Sequence, residues 1–288
     1  MRAQLAKRGG RVDWIRNYQD FTKLREISPG AALLLAAEYD RTRTLSGPLA
    51  AIELDKWDPT IRATLGALGF FGLLEIPEVV KSELPDGFYI QPLTSERGAN
   101  SKPALDQIVD LFAKAGGDEG LRVSLCGAVV DALENVRDHA YPPERFVGIR
   151  HIPNWWFTGA ADRDKRRLVL GIYDQGVTIP VTLPHRFGMP AVVSLFSSAF
   201  GLSFDPADHK YDGQALEAAM RLSESSTGER HRGKGLAHIK QAVGRCTSGQ
   251  LRIVSRNGEY VFRSDSRDTV KTYDVALPGT YVEIAAFF

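Results

Sequence analysis

Three polar residues that could hold a metal ion and activate water lie along one predicted helix. The apolar spacing over 119–140 predicts that helix. Asp131, Asn135 and Asp138 are four and three residues apart, so they share one side of it. Mg²⁺ takes oxygen ligands and keeps several waters, so the Asn135 amide oxygen and the phosphates of a ligand could complete its shell. The Asp131 carboxylate could deprotonate an attacking water, although a solvated stripe would have the same spacing.

A second candidate is the turn Asp174-Gln175-Gly176, which follows a predicted buried strand over 167–173. A strand that ends in Asp can point a carboxylate into a pocket, where it could accept a hydrogen bond from an amine such as that of adenine. Gly176 removes a side chain where a flat base would pack. Because Asp-x-Gly also occurs in ordinary turns, the turn alone does not establish a site.

The third candidate is the segment Gly233-Lys234-Gly235-Leu236, at the start of a predicted amphipathic helix over 235–243. Glycines at a helix N-terminus expose backbone N–H groups, which attract phosphate. Lys234 adds a charge that a triphosphate would favour. The spacing matches neither a Walker A loop nor a dinucleotide fingerprint, and a basic surface loop is the alternative interpretation.

The elements that must position these residues alternate between helices and strands. Helical spacing covers 105–114, 119–140, 212–223 and 235–243, and strand patterns cover 146–157, 167–173, 250–255, 260–263 and 281–286. This order predicts an α/β fold, a two-layer sandwich in which a mixed sheet has helices on one face.

The N-terminal third predicts a smaller α/β domain. Strand patterns cover 31–39, 49–54 and 70–74, and Asp58 begins a helix between the last two. The pattern loosely resembles the STAS-type domains of bacterial regulators. A polar segment over 93–103 marks the boundary, which divides the chain into domains 1–98 and 99–288.

The bulk composition is that of a globular protein large enough for two domains. The 288 residues are 43% hydrophobic and 25% charged, with a net charge of +1. Such a charge gives no field that would indicate nucleic acid. The sequence has neither a membrane-spanning apolar run nor a signal-peptide pattern, and its two cysteines are far apart. We therefore expect a cytoplasmic protein that does not enter a membrane.

Taken in order, the three candidates resemble the N, G1 and G2 boxes of the GHKL (Bergerat-fold, histidine-kinase-like) ATPases. Gly279-Thr280 is similar to the Gly-Thr pair that begins the last strand of that family. The resemblance covers residues 105–288. The family includes gyrase B subunits, chaperones of the ninety-kilodalton class, mismatch-repair ATPases, sensor histidine kinases and anti-sigma serine kinases.

The resemblance implies ATP or ADP as the ligand and Mg²⁺ as the cofactor, with a lid over 180–232. It assigns one role to each matching position. Asn135 would bind the metal, Asp131 would be the catalytic base, Asp138 would line the same wall, Asp174 and Thr280 would recognise adenine, Gly176 and Ile179 would pack against it, and Gly233, Lys234, Gly235 and Leu236 would contact the phosphates.

Two departures from the family pattern leave the reaction open. Asp131 stands where hydrolysing members have the longer Glu, and Thr178 replaces the second glycine of the G1 box. The first expectation is an ATP-hydrolysing conformational switch. The second is a serine/threonine protein kinase of the anti-sigma type, and the third is an ATP-sensing interaction module without hydrolysis. Each implies a protein partner, and many relatives work as homodimers.

Overall fold

The structure, a computed structural model, describes residues 18–19, 21–47, 50–51, 53–76, 83–98, 100–142, 151–225 and 235–287. Six strands form the main sheet: β3 (Phe88–Ile90), β4 (Thr94–Arg97), β5 (Asn154–Asp162), β6 (Arg167–Asp174), β7 (Ser248–Arg263) and β8 (Ser266–Phe287). Their order is β3-β5-β6-β8-β7, with β4 also paired to β5, and every pairing is antiparallel. The two-residue strands β1 (Tyr18–Gln19) and β2 (Ala50–Ala51) pair in parallel apart from this sheet.

Nine α-helices lie within the described ranges. They are α1 (Pro29–Ser46), α2 (Pro59–Ala67), α3 (Phe70–Leu73), α4 (Lys102–Ala115), α5 (Glu119–Asn135), α6 (Ile179–Phe187), α7 (Met189–Leu195), α8 (Asp212–Ser225) and α9 (Gly235–Gly244). Side-chain caps fix several beginnings. The Asp58 carboxylate accepts a hydrogen bond from the Thr60 backbone N–H at 2.9 Å, which confirms the predicted start of α2.

The helices pack on both faces of the sheet. One large apolar core joins α4, α5, α8 and α9 to one face. On the other face, Leu33 and Ala37 of α1 pack against Trp156, Tyr173 and Tyr281. The predicted α/β class is therefore confirmed. The prediction of a mixed sheet with helices on one face is wrong, because the main sheet is antiparallel and α1 covers its second face.

Two of the three strands predicted near the N-terminus, 31–39 and 70–74, are also wrong. Residues 31–39 belong to α1, residues 70–73 form α3, and only Ala50–Ala51 of the segment 49–54 is described as strand. Residues 31–37 are apolar on every side of the helix because α1 lies between two cores. Its Leu33 side packs on the sheet, and its Ala36 side packs on a cluster with α2 and α3.

The described elements before residue 98 are not separate from those after it. Strands β3 and β4 pair with β5, so the main sheet contains strands from both sides of the predicted boundary. The division into 1–98 and 99–288 stays a prediction. Within the described ranges, none of the helices has the length and apolar character needed to cross a membrane.

Candidate functional site

A small cavity of about 60 Å³, partly open to solvent, lies between α5, α6, α9 and the sheet. Five of the predicted site residues line it: Asn135, Asp174, Ile179, Leu236 and Thr280. The other lining residues are mostly apolar, among them Ala132, Val136, Ile172, Val177, Leu183, Ala219, Ile239 and Val282.

The helix that carries Asn135 changes from α-helical to π-helical geometry after that residue. Asn135 is the last residue of α5, and Val136–Ala140 continue it as a π-turn. Such wide turns are frequent at functional sites. The Ala140 carbonyl oxygen accepts a hydrogen bond from the Val177 backbone N–H at 2.6 Å. This bond joins the end of α5 to the turn that follows β6.

Asp174 presents a buried carboxylate to the cavity. Its residue is 4% exposed. One carboxylate oxygen accepts a hydrogen bond from the Gly176 backbone N–H at 2.8 Å. Burial raises the pKa of this carboxyl to about 7, while hydrogen bonds from the backbones of Gly176 and Thr280 act in the opposite direction. The pKa of this carboxyl therefore lies close to neutral pH, where a small change in pH changes its charge.

Two glycines allow the chain to close around Asp174. A Cβ on Gly176 would lie 2.1 Å from the Ala140 carbonyl oxygen, and one on Gly279 would lie 1.9 Å from the Asp174 carbonyl oxygen. Gly279 also has a φ of +94°, in the region that favours glycine. The space beside Gly176 is thus filled by the backbone of the π-turn, and Gly176 is not in the cavity lining, so its predicted packing against a base stays a prediction.

A chain of hydroxyls fixes the start of α6 beside this turn. The Ile179 backbone N–H donates to the Ser255 hydroxyl at 2.9 Å, and the Ser255 and Thr280 hydroxyls are 2.8 Å apart. Thr178, the residue before α6, has a buried hydroxyl without a hydrogen-bond partner among the described residues.

The α9 wall meets Asn135 at its first residue. A Cβ on Gly235 would lie 2.8 Å from the Asn135 side-chain nitrogen. A residue larger than glycine would therefore displace the Asn135 amide. Gly235 thus lies against Asn135 and Leu236 lines the cavity, and their contact with phosphates stays a prediction. Gly233, Lys234 and the last part of the predicted lid, residues 226–232, lie outside the described residues.

Two predicted residues on α5 and its π-turn are not in the cavity lining. The Asp131 carboxylate lies 3.4 Å from Nδ1 of His238 on α9, and burial raises its pKa while His238 partly offsets that effect. Asp138 is exposed and forms two hydrogen bonds with the Arg137 guanidinium, at 2.5 and 2.9 Å. The prediction that Asp138 lines the wall is wrong. A π-turn advances the chain less per residue than an α-turn, so it brings His139 into line with Asn135 instead.

The sequence reasoning missed two further residues of the lining, His139 and Arg186. The Arg186 guanidinium, from the last turn of α6, donates from Nη1 to the Asn135 amide oxygen at 3.0 Å. Burial and the nearby Arg186 lower the pKa of His139. The only sequence signal for Arg186 was its place within the predicted lid.

The donor set suits a cation only if the ligand brings oxygens of its own. Within the described ranges, no group of three or more His, Cys, Asp or Glu side chains could hold a metal ion. The cavity offers the Asn135 amide oxygen, the Asp174 carboxylate and the hydroxyls of Thr182 and Thr280. This set fits Mg²⁺ that arrives with phosphates, because such an ion needs few protein ligands.

Comparison with protein-family models gives no match to this chain, and comparison with curated proteins gives no significant match. The GHKL resemblance therefore depends on the residues of this chain alone, and membership of that family stays a prediction.

Proposed function

We propose that this chain binds an adenine nucleotide with Mg²⁺ in the cavity and acts as a GHKL-type ATPase, a conformational switch driven by the nucleotide. The observation that carries the proposal is the meeting of three distant segments at one cavity. Asn135, Asp174 and Leu236 line it from the end of α5, the end of β6 and the first turn of α9.

Asp174 would recognise the base. An ionised carboxylate in a desolvated pocket accepts a strong hydrogen bond from an exocyclic amine. Thr280 and the apolar side chain of Ile179 lie in the same lining and would contact the ring. Since the folded protein raises the pKa of Asp174 to about 7, base binding would compete with protonation of this carboxyl.

Asn135 and α9 would hold the phosphate end. The amide oxygen of Asn135 is a suitable single protein ligand for Mg²⁺, and the N-terminus of α9 at Gly235 lies against the same amide. When bound, Mg²⁺ would neutralise charge on the phosphates during hydrolysis. The chain's own contribution would be to orient the γ-phosphate and to exclude bulk water with apolar residues such as Leu236.

Asp131 would take the proton from the attacking water as the bond between the γ-phosphorus and the bridging oxygen breaks and ADP leaves. Its present contact with His238 at 3.4 Å lies outside the cavity lining, so this role requires the contact to open. The same contact supports the third expectation, an ATP-sensing module that binds ATP without turnover.

Calorimetry of ATP and ADP with and without Mg²⁺ tests the proposal. Wild type and Asp164→Asn, which changes an exposed carboxylate, should bind alike. Asp174→Asn should weaken binding roughly 10- to 100-fold, since it removes a charged acceptor for the amine. Absence of adenine-nucleotide binding by wild type, or equal binding by Asp174→Asn, would contradict it.

A further inference from the structure

Arg186 is a positive charge held inside the cavity without a matching negative one. Its guanidinium makes one hydrogen bond to the described residues, from Nη1 to the Asn135 amide oxygen. Its Nε is buried and has no hydrogen-bond partner there. Within the described ranges, no carboxylate oxygen lies within 4.0 Å of it. Burial lowers the pKa of Arg186, which reports the same unfavourable placement.

The charges around Arg186 do not compensate it. Asp138 is the acidic residue whose charge acts on it, and both Asp138 oxygens are bound to Arg137. His139, the other titratable group on the π-turn, has its pKa lowered by burial and by Arg186. A neutral amide is the direct partner of the guanidinium. A partly buried arginine with an unused planar donor is the arrangement that proteins use to bind phosphate.

We propose that Arg186 binds the phosphate groups of the nucleotide and that its contact with Asn135 is the resting position of this side chain. The inference rests on the proposed function, because it names the residue that holds the anionic part of the same ligand. Arg186 and a metal ion cannot share the Asn135 oxygen, since both are cations. Arrival of a magnesium–phosphate group would therefore transfer the guanidinium from the amide oxygen to the phosphate oxygens.

The surroundings of Arg186 permit that transfer. The start of α6 is fixed by the hydrogen bond from the Ile179 N–H to Ser255. Arg186 lies in the last turn of this helix, two residues before Gly188. Its guanidinium lies 5.4 Å from the Phe187 ring centre, so an aromatic surface supports it on the lid side of the cavity. The side chain can thus turn while the helix stays in place.

The test compares the affinities of adenosine, ADP and ATP, with Mg²⁺, for wild type, Arg186→Met and Arg186→Lys. Arg221→Met is the matched control, because Arg221 is on α8, ion-paired with Glu217, and outside the lining. Arg186→Met should weaken ATP binding roughly 10- to 100-fold and leave adenosine affinity within about twofold. Arg186→Lys keeps the charge but loses the planar guanidinium, so its ATP affinity should lie between those of wild type and Arg186→Met.

Thermal unfolding of the free proteins supplies a readout that needs no ligand. Arg186→Met should be at least as stable as wild type, because it removes a partly buried charge that lacks a carboxylate partner within the described residues. Unchanged ATP binding in both Arg186 variants would overturn the inference, as would an equal loss for adenosine. If those variants bind ATP normally while Asp174→Asn does not, this inference fails and the proposed function stands. If wild type binds no adenine nucleotide, the proposed function fails instead.

Discussion

Replacing Asp174 by Asn tests the electrostatics of the site without any ligand. Burial raises the pKa of this carboxyl from 3.8 to about 7 in the folded protein. In the unfolded chain it ionises near its ordinary value. Between about pH 4 and pH 7, the folded protein therefore holds a proton that the unfolded chain has released. Asn has the same shape as Asp and does not titrate.

The sign follows from the direction of the shift. Because the folded-state pKa is the higher one, the stabilising contribution of the protonated carboxyl is fully present at low pH and is lost as the pH rises through about 7. The slope is about 1.4 kcal/mol per pH unit, so the loss is at most about 4 kcal/mol over the whole range. Between about pH 5 and pH 7 it is about 2–3 kcal/mol.

The Asn side chain brings a cost that does not depend on pH. Its NH₂ group would face one of the two backbone donors, Gly176 or Thr280, that now point at the carboxylate. That mismatch costs about 1–3 kcal/mol at every pH. The absolute stability of Asp174→Asn is therefore less informative than the way in which its difference from wild type changes with pH.

Chemical denaturation of wild type and Asp174→Asn, in steps from about pH 5 to pH 8, measures this change. As the pH increases from about 5 to 7, the free energy of unfolding of the variant minus that of wild type should rise by about 2–3 kcal/mol. Above about pH 7 the difference should become constant. Asp164→Asn, at an exposed position, should run parallel to wild type. Parallel curves for wild type and Asp174→Asn would refute the reasoning, because they would mean that folding leaves the pKa of this carboxyl unchanged.

Three further outcomes are expected. Gly176→Ala should lower the free energy of unfolding by about 2 kcal/mol or more, since its Cβ would lie 2.1 Å from the Ala140 carbonyl oxygen; a loss below about 0.5 kcal/mol in denaturant titration would contradict this. Asp131→Ala should reduce steady-state phosphate release about 100-fold with near-normal ATP affinity, whereas no release by wild type would favour the sensor. Adenosine affinity should fall as the pH drops below about 7, about tenfold per unit, because base binding needs Asp174 ionised; a flat profile for wild type would exclude that role.

The sequence could predict the elements that carry the site because their signals are local. Helical spacing over 105–114, 212–223 and 235–243 corresponds to α4, α8 and α9. The strand predicted over 167–173 is β6, and Asp174 ends it as expected. Each of these patterns repeats within a few residues, so it survives without knowledge of the neighbours.

The N-terminal elements could not be predicted in this way. A continuous apolar run is typical of a buried strand as well as of a buried helix, and only packing separates the two. In α1, Leu33 and Ala36 face different cores, so the helix loses the polar side that would have identified it. The pairing of β3 and β4 with β5 joins residues 57 to 74 positions apart, and no short-range pattern encodes it.

The site residues were missed where the backbone departs from regular geometry. An α-helical projection places Asp138 beside Asn135, but the π-turn over Val136–Ala140 gives that place to His139. Arg186 was predicted only as part of the lid, because its contact with Asn135 depends on how α6 crosses the end of α5. Side-chain chemistry was thus predictable, whereas the register beyond residue 135 was not.

Asp174 and Arg186, two ionisable groups of the cavity, are best explained together. Asp174 keeps a carboxyl where burial opposes its charge, and Arg186 keeps a charge without a carboxylate partner. Each placement costs folding free energy, and the pair do not relieve each other, since their bonds go to backbone N–H groups and to Asn135. A ligand with an amine at one end and phosphates at the other would satisfy both groups at once. An apolar ligand of the same size would satisfy neither, so the cost is consistent with the proposed occupant, which is polar at both ends.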